Sequence, residues 1–292
     1  MPPVQVVSGP LDDALRRRLV YGGDILIFKD VAAMVELCDL TDGLIRETFD
    51  TSDPVRAQFE LDREDYEDRF EALKNRYRKH EQAKRLFREA LEEVGLSIGH
   101  TFWDRLHLRA LPHDEGRTDG KIKRLGVHRD TWSSNVYAQT NWWAPIYPIT
   151  AGRTIAFYPA YWTRPVKNTS ASWDLEALRA ERRGGAKPTV PLVPGPVDPV
   201  EQESELRVVI EPGDLLCFSG AHLHAGAPNS TGVARFSVEI RTVDVRDAAS
   251  GAGAPNVDGD APRTAMEWFY RVEDGTPLPK ATARLKEQVL HE

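Results

Sequence analysis

The sequence is poor in cysteine, since its 292 residues include only Cys38 and Cys217. Two thiols are too few for the disulfide framework that stabilises many small secreted domains. The sequence shows no cationic start followed by an apolar segment, so we expect no secretory signal peptide. These absences predict a protein of the reducing cytoplasm.

Long apolar runs are also missing. The longest runs, such as residues 25–28, fall far short of the roughly 20 residues that a membrane-spanning helix needs, so we expect no membrane span. The net charge of −7 gives the chain no overall basic character, which argues against a protein whose main task is to hold nucleic acid. We therefore expect a small-molecule partner, while composition says nothing about the oligomeric state.

The order of apolar residues predicts a helical first third followed by short strands. Residues 24–28 have the composition of a strand, and helical spacing follows directly after them and again over 60–94. Further β-prone runs, bounded by Gly, Pro and Asn, lie at residues 102–111, 135–146, 154–158, 207–210, 214–218 and 235–243. Strands in such succession are typical of an antiparallel sandwich or barrel with helices beside it.

We therefore predict a single domain over 1–292, with a strand and helical support region at 1–100. The β core then covers 101–245, and 246–292 form a C-terminal extension. A long segment rich in Pro and Gly at 163–205, with a short helical stretch near 173–183, is a candidate lid. Residues 248–262 are a second irregular stretch, and a final amphipathic turn is expected near Leu285.

One short motif, His128-x-Asp130, carries recognisable chemistry. Residues two apart on a strand point to the same face, so the imidazole and the carboxylate would lie side by side as two metal ligands. The motif alone is weakly specific, because the chain has eight histidines. A third ligand can come from His222 or His224, which follow the strand at 214–218, and two histidines with one carboxylate are the face that binds non-haem Fe(II).

The strand after these histidines carries Arg235 and Ser237 on one face. A guanidinium beside a hydroxyl suits one end of a dicarboxylate, which it can hold by paired charge-assisted hydrogen bonds.

Together these segments resemble the Fe(II)/2-oxoglutarate-dependent dioxygenases, and in particular the phytanoyl-CoA dioxygenase-like branch. The resemblance spans about residues 20–245. It rests on the histidine–aspartate motif, on the distal histidine with the segment after it, and on an arginine eleven residues beyond that histidine with a serine two residues later. These residues are His128 and Asp130, then His224 with the segment to Asn229, then Arg235 and Ser237. It implies a double-stranded β-helix, a jelly-roll of the cupin type, with helices packed on one sheet.

The resemblance also implies roles for these residues. His128, Asp130 and His224 would bind Fe(II), while Arg235, with Ser237, would bind the distal carboxylate of 2-oxoglutarate. Dioxygen would be the second cosubstrate.

His222 remains a competing third ligand, because it would share a strand face with His224. We favour His224, since the spacing to Arg235 counts from it. The halogenating relatives carry a small residue at the position of Asp130, so the resemblance favours a hydroxylase or desaturase here.

Further residues are candidates for contacts around the site. Gln139 and Asn141, on the strand at 135–146, would touch 2-oxoglutarate or substrate, or else satisfy each other inside the core. Trp132, just past the motif, would wall the substrate pocket.

An anionic substrate is expected if Arg105, Arg109 or Arg129 points inward; otherwise these arginines are solvated charges.

The predicted function is thus oxidation, by hydroxylation above all, of a C–H bond in a small metabolite, with release of succinate and carbon dioxide. Two alternatives remain. One is a metal-dependent cupin enzyme without 2-oxoglutarate, which would have no use for Arg235 and Ser237. The other is a non-catalytic β-sandwich binding protein in which His128, Asp130 and His224 never meet.

Overall fold

The computed structural model of the chain describes residues 4–113, 122, 124–183, 189–201 and 205–279. Within these residues the α-helices are α1 (Asp13–Tyr21), α2 (Ala32–Phe49), α3 (Arg63–Tyr77), α4 (Glu81–Glu93), α5 (Thr131–Ser134), α6 (Leu175–Arg183) and α7 (Val245–Ser250). The strands are β1 (Val4–Ser8), β2 (Ile25–Lys29), β3 (Thr101–Trp103), β4 (His107–Leu111), β5 (Gln139–Pro145), β6 (Ile155–Phe157), β7 (Leu206–Val208), β8 (Leu215–Ser219), β9 (His224–Gly226), β10 (Arg235–Asp244) and β11 (Tyr270–Arg271).

The strands form two sheets of unequal size. The larger has eight strands in the order β1-β2-β8-β5-β10-β3-β11, with β4 also paired to β10, and the smaller has the order β7-β6-β9. Only β1 and β2 run parallel, and the other paired strands are antiparallel. The long strand β10 is therefore central, with β5 on one side and β3 and β4 on the other.

The large sheet is buried on both faces. Along β10 the alternate residues Phe236, Val238 and Ile240 join a core cluster that includes apolar residues of α2, α3 and α4. On the opposite face, Trp143 of β5 and Phe218 of β8 pack with residues of the small sheet in a second cluster. Helices thus cover one face and the small sheet covers the other, so the space between the sheets is where a site can form.

Most elements predicted from the sequence are confirmed. The strand at 24–28 is β2, the helix after it is α2, and the helical stretch at 60–94 contains α3 and α4. The short helix near 173–183 is α6, and the later runs correspond to β6, β7, β8 and β10. The architecture is accordingly one of β-sheets with flanking helices.

One predicted run begins later than expected, and another prediction is not tested. The run at 135–146 starts later than expected, since Asn135 has a left-handed φ of 53° that ends α5 and β5 begins only at Gln139. The amphipathic turn expected near Leu285 lies outside the described residues. No helix in the described part of the chain is long and apolar enough to cross a membrane.

Candidate metal centre

Three side chains with metal-binding atoms converge between the two sheets. One ligand atom each from His128, Asp130 and His224 lies within 4.8 Å of the other two. His128 and His224 form an isolated antiparallel bridge, in which each backbone N–H donates to the other residue's carbonyl at 2.9 Å. The bridge places the imidazole rings side by side, with their centroids 4.3 Å apart. This convergence excludes the alternative in which the three residues never meet.

The His128-x-Asp130 motif does not lie on a continuous strand, so that part of the prediction is wrong. His128 is extended and paired, but Asp130 has helical dihedrals (φ −62°, ψ −32°) and occupies the N-cap position of the short helix α5 without a side-chain capping bond. The two side chains still approach each other, with Nε2 of His128 3.4 Å from Oδ1 of Asp130. The turn into the helix, rather than strand alternation, brings the carboxylate to the imidazole.

Both histidines are oriented by backbone carbonyl groups. Nδ1 of His128 lies 2.8 Å from the carbonyl oxygen of Gly126, and Nδ1 of His224 lies 3.0 Å from that of His222. Because a carbonyl oxygen only accepts, Nδ1 must carry the proton in each ring, which leaves the Nε2 lone pair for a metal. Such support of the far ring nitrogen is usual for histidine ligands.

His222, the competing third ligand, faces elsewhere. It lies in the turn before β9, and not on a strand with His224. Its Nδ1 is 3.1 Å from the carbonyl oxygen of Ser219, and its Nε2 is 2.8 Å from that of Gly23. With both nitrogens directed at the backbone, His222 is not part of the group of potential ligands.

The second oxygen of Asp130 is held by two amides of β5. Oδ2 accepts from Nε2 of Gln139 at 3.2 Å and from Nδ2 of Asn141, and the Gln139 amide also donates to Oδ1 of Asn141 at 2.8 Å. Gly220 allows this approach, because a Cβ there would lie 2.7 Å from Nε2 of Gln139. Of the two alternatives for Gln139 and Asn141, the structure shows the mutual hydrogen bond, and it adds a contact with Asp130 that the alternating polar residues of the strand did not specify.

Burial and neighbouring charges set the protonation states that a metal requires. Burial, with a smaller contribution from the nearby His128, lowers the pKa of His224 to about 4, although Asp130 opposes the shift. Burial raises the pKa of Asp130, but the adjoining imidazoles of His128 and His224 and the nearby guanidinium of Arg241 hold that pKa below its usual value. At neutral pH His224 is therefore neutral and Asp130 is ionised, as metal ligation demands.

Arg235 and Ser237 lie on the inner face of β10 and carry unpaired polar atoms. Nη1 of Arg235 donates to the carbonyl of Thr154 at 3.1 Å, and the guanidinium carbon lies 5.7 Å from the ring centroid of Trp143. Nε of Arg235 and Oγ of Ser237 are buried without a hydrogen-bond partner among the described residues. Burial lowers the pKa of Arg235 to about 10, with Glu239 opposing the shift. A buried guanidinium with so few acceptors fits an anionic group placed beside it.

The arginines from which an anionic substrate was predicted are not free cations facing the site. Arg105 is exposed. Arg109 binds Glu239, with Nε and Nη2 at 2.9 Å and 2.6 Å from Oε1. The side chains of Arg109 and Glu239 are 39% and 28% exposed although both residues lie on paired strands. They therefore line a water-accessible part of the inner face. Glu239 is opposite Trp143 in the β5–β10 register, and Trp143 is two residues from Asn141, whose amide bonds to Asp130.

Arg129 and Trp132 face the protein interior. The Arg129 side chain binds Asp258 through Nε at 3.1 Å and three backbone carbonyls through its other nitrogens. Trp132 is fully buried, and its Nε1 donates to Asp258 at 2.7 Å. The indole is not exposed to solvent, and its expected place in the wall of a substrate pocket stays a prediction. Asp258, which the sequence analysis did not single out, connects both residues.

No protein-family profile and no curated protein matches the chain. Among solved structures it is similar to a nickel complex of the non-heme monooxygenase ThoJ, with 11% identity, a TM-score of 0.41, and coverage of 91% of this chain and 92% of that one. It is also similar to EvdO2 from Micromonospora carbonacea var. aurantiaca, with 14% identity, a TM-score of 0.44, and coverage of 82% and 94%. It is also similar to AviO1 from Streptomyces viridochromogenes Tue57, with 16% identity, a TM-score of 0.31, and coverage of 61% of each chain.

Proposed function

We propose that this protein is a non-haem oxygenase that depends on Fe(II) and 2-oxoglutarate and hydroxylates a C–H bond of a small polar metabolite. The carrying observation is the preformed group of His128, Asp130 and His224, in which one potential ligand atom of each residue lies within 4.8 Å of the other two. We also propose that the two sheets form a double-stranded β-helix like that of the phytanoyl-CoA dioxygenase-like enzymes.

The ligand set suits iron. Two neutral imidazoles and one carboxylate on one face of a metal leave further positions for other ligands, which is the arrangement of non-haem Fe(II) oxygenases. Bound iron with 2-oxoglutarate would supply the activation of dioxygen and the hydrogen abstraction, with release of succinate and carbon dioxide. The amides of Gln139 and Asn141 orient the Asp130 carboxylate.

Arg235 and Ser237 are the proposed partners of the distal carboxylate of 2-oxoglutarate. Their unpaired Nε and Oγ atoms support this role, since buried donors normally have acceptors. A cupin enzyme without this cosubstrate would leave both groups unsatisfied, and no observation favours it.

The substrate is proposed to be polar and to contact the charged inner face beside the metal group. Arg109 and Glu239 already neutralise each other there, so this part of the face offers both hydrogen-bond donors and acceptors, while Arg235 is assigned to the cosubstrate. This favours a substrate with hydroxyl or amide groups over an apolar chain. An anionic substrate loses its main support, because none of the three arginines that suggested it is available.

The segment at 163–205 remains our candidate lid for this site. Its start is bonded to the metal loop, the loop that carries His128 and Asp130, because Arg129 in that loop donates to the carbonyl oxygens of Tyr161 and Arg164 at 2.7 Å and 3.3 Å. Deleting the segment should abolish substrate-coupled turnover, and retained coupling would contradict a lid. We also keep cytoplasmic residence and a single-domain organisation as proposals.

Anaerobic absorbance spectroscopy tests the function directly. Metal-free protein is titrated with Fe(II) and then with 2-oxoglutarate, and we expect the weak visible charge-transfer band of a chelated keto acid. The band should vanish in His224→Ala and weaken in Arg235→Ala, but persist in Arg207→Ala, which removes an exposed arginine of β7. Iron binding without a band would contradict the 2-oxoglutarate assignment, and absence of iron binding would contradict the metal centre.

A further inference from the structure

Arg129 lies between two proposed ligands in the sequence, yet its guanidinium points away from them. The residue is only 2% exposed. Nη1 donates to the carbonyl of Ala221 at 2.6 Å, in the loop that leads to His224, and Nη2 donates to the carbonyls of Tyr161 and Arg164. Arg129 therefore joins the loop carrying His128 and Asp130 both to the loop of the third ligand and to the start of the 163–205 segment.

Asp258, from the second irregular stretch, completes this arrangement. Its side chain is 5% exposed and accepts from Nε of Arg129 at 3.1 Å, from Nε1 of Trp132 at 2.7 Å and from the backbone N–H of Val166 at 2.9 Å. Its own carbonyl accepts from Nδ2 of Asn168 at 2.7 Å. One carboxylate thus bonds to the metal loop, to the helix α5 that follows it, and to the 163–205 segment.

A buried ion pair contributes little to stability compared with apolar residues of the same volume, because both charges lose their hydration. Its directional bonds, however, hold particular backbone groups in particular places. Here those groups belong to the ligand loops and to two irregular segments that have few strand or helix hydrogen bonds of their own. The arrangement is suited to positioning.

We propose that Arg129 and Asp258 form a positioning pair that couples metal binding at His128, Asp130 and His224 to the ordering of residues 161–168 and 255–259. The inference rests on the proposed metal centre. Coupling between two sites is reciprocal, so if the pair orders the ligand loops for the metal, bound metal must in turn stabilise the segments joined to the pair.

Hydrogen exchange measured by mass spectrometry, with and without Mn(II), tests the coupling, and electron paramagnetic resonance gives the Mn(II) affinity. In the wild-type protein we expect Mn(II) to slow exchange in peptides covering 161–168 and 255–259 as well as in those carrying the ligands. In Asp258→Asn that remote protection should disappear, and the Mn(II) affinity should fall about tenfold. The matched control is Asp260→Asn, since Asp260 is exposed and its backbone N–H, not its side chain, bonds to Ser170.

A merely structural role would lower the melting temperature of Asp258→Asn but leave Mn(II)-dependent protection unchanged, and that result would overturn the proposal. Equal effects in Asp260→Asn would overturn it too. If Asp258→Asn does not fold, the double variant Arg129→Gln/Asp258→Asn removes both charges and leaves no unpaired ion, and the same two losses are expected. Failure of the wild-type protein to bind Mn(II) would instead refute the metal centre, and the coupling with it.

Discussion

The orientation of the Asp130 carboxylate depends on Asn141, and replacing Asn141 with leucine tests that dependence. Nδ2 of Asn141 donates to Oδ2 of Asp130, while its Oδ1 accepts from Gln139 at 2.8 Å. Leucine has a similar size but no polar atom, so it removes both bonds without opening a large cavity. Oδ2 of Asp130 would keep only the longer bond from Gln139, at 3.2 Å.

Two magnitudes bear on the loss of metal affinity that we expect in Asn141→Leu. A hydrogen bond to a charged group is worth about 1.5–3 kcal/mol. Removal of a group that supports a metal ligand typically weakens metal affinity about 10- to 100-fold, which corresponds to about 1.4–2.7 kcal/mol. The two ranges overlap, so we expect Asn141→Leu to raise the Kd for Mn(II) by one to two orders of magnitude, or about 2 kcal/mol.

Electron paramagnetic resonance titration of metal-free protein with Mn(II) measures this change, because free and bound Mn(II) give different signals. Thr140→Val is the matched control, since Thr140 neighbours Asn141 on β5 but points to the opposite face of the strand. An unchanged affinity in Asn141→Leu would refute the supporting role of the amide. An equal loss in Thr140→Val would show that strand β5 responds to any substitution.

Three further predictions concern the surroundings of the site and the core. Gly220→Ala would place a Cβ 2.7 Å from Nε2 of the buried Gln139. Calorimetry should therefore find that this variant binds Co(II) more weakly than the wild-type protein. Unaltered Co(II) binding would contradict the close approach of Gln139 to residue 220. Burial lowers the pKa of His222 to about 4, so between pH 6.5 and 4 the unfolded chain binds a proton that the folded chain does not. The free energy of unfolding should therefore decrease by about 3 kcal/mol as the pH is lowered through this range. Urea unfolding of metal-free His222→Gln should show a smaller decrease than the wild-type protein. Phe236→Ala removes a fully buried ring between the large sheet and the helices and should lower the free energy of unfolding by about 3–5 kcal/mol, a value that denaturant titration can confirm or contradict.

The electrostatic surroundings suggest why the site is built between the sheets. A buried carboxylate and a buried guanidinium would each be expensive there without partners. Asp130 has the amides of β5 and the two imidazoles, whereas Arg235 has one carbonyl and the face of Trp143. This imbalance between a satisfied anion and an under-satisfied cation is the physical reason to place an anionic cosubstrate beside Arg235.

The regular elements were readable from the sequence because their signals are local. Apolar residues at helical spacing predicted α2, α3 and α4, and alternation predicted β10 with Arg235 and Ser237 opposite Phe236. The candidate ligands were also readable, although the separation of His128 and Asp130 alone is weakly specific and the third candidate, His224, lies far away in the sequence. The regular elements and the His128-x-Asp130 motif need only neighbouring residues.

What the sequence by itself determined is therefore the set of elements and the short list of chemically capable side chains. Tertiary structure alone decided between His222 and His224, because the choice depends on which carbonyl groups each imidazole meets. It also turned Gln139 and Asn141 toward Asp130, paired Arg109 with Glu239, and brought Asp258 to Arg129 across 129 residues of chain. The reason is that hydrogen bonds and ion pairs act over a few ångströms in space, whereas the sequence records only distance along the chain.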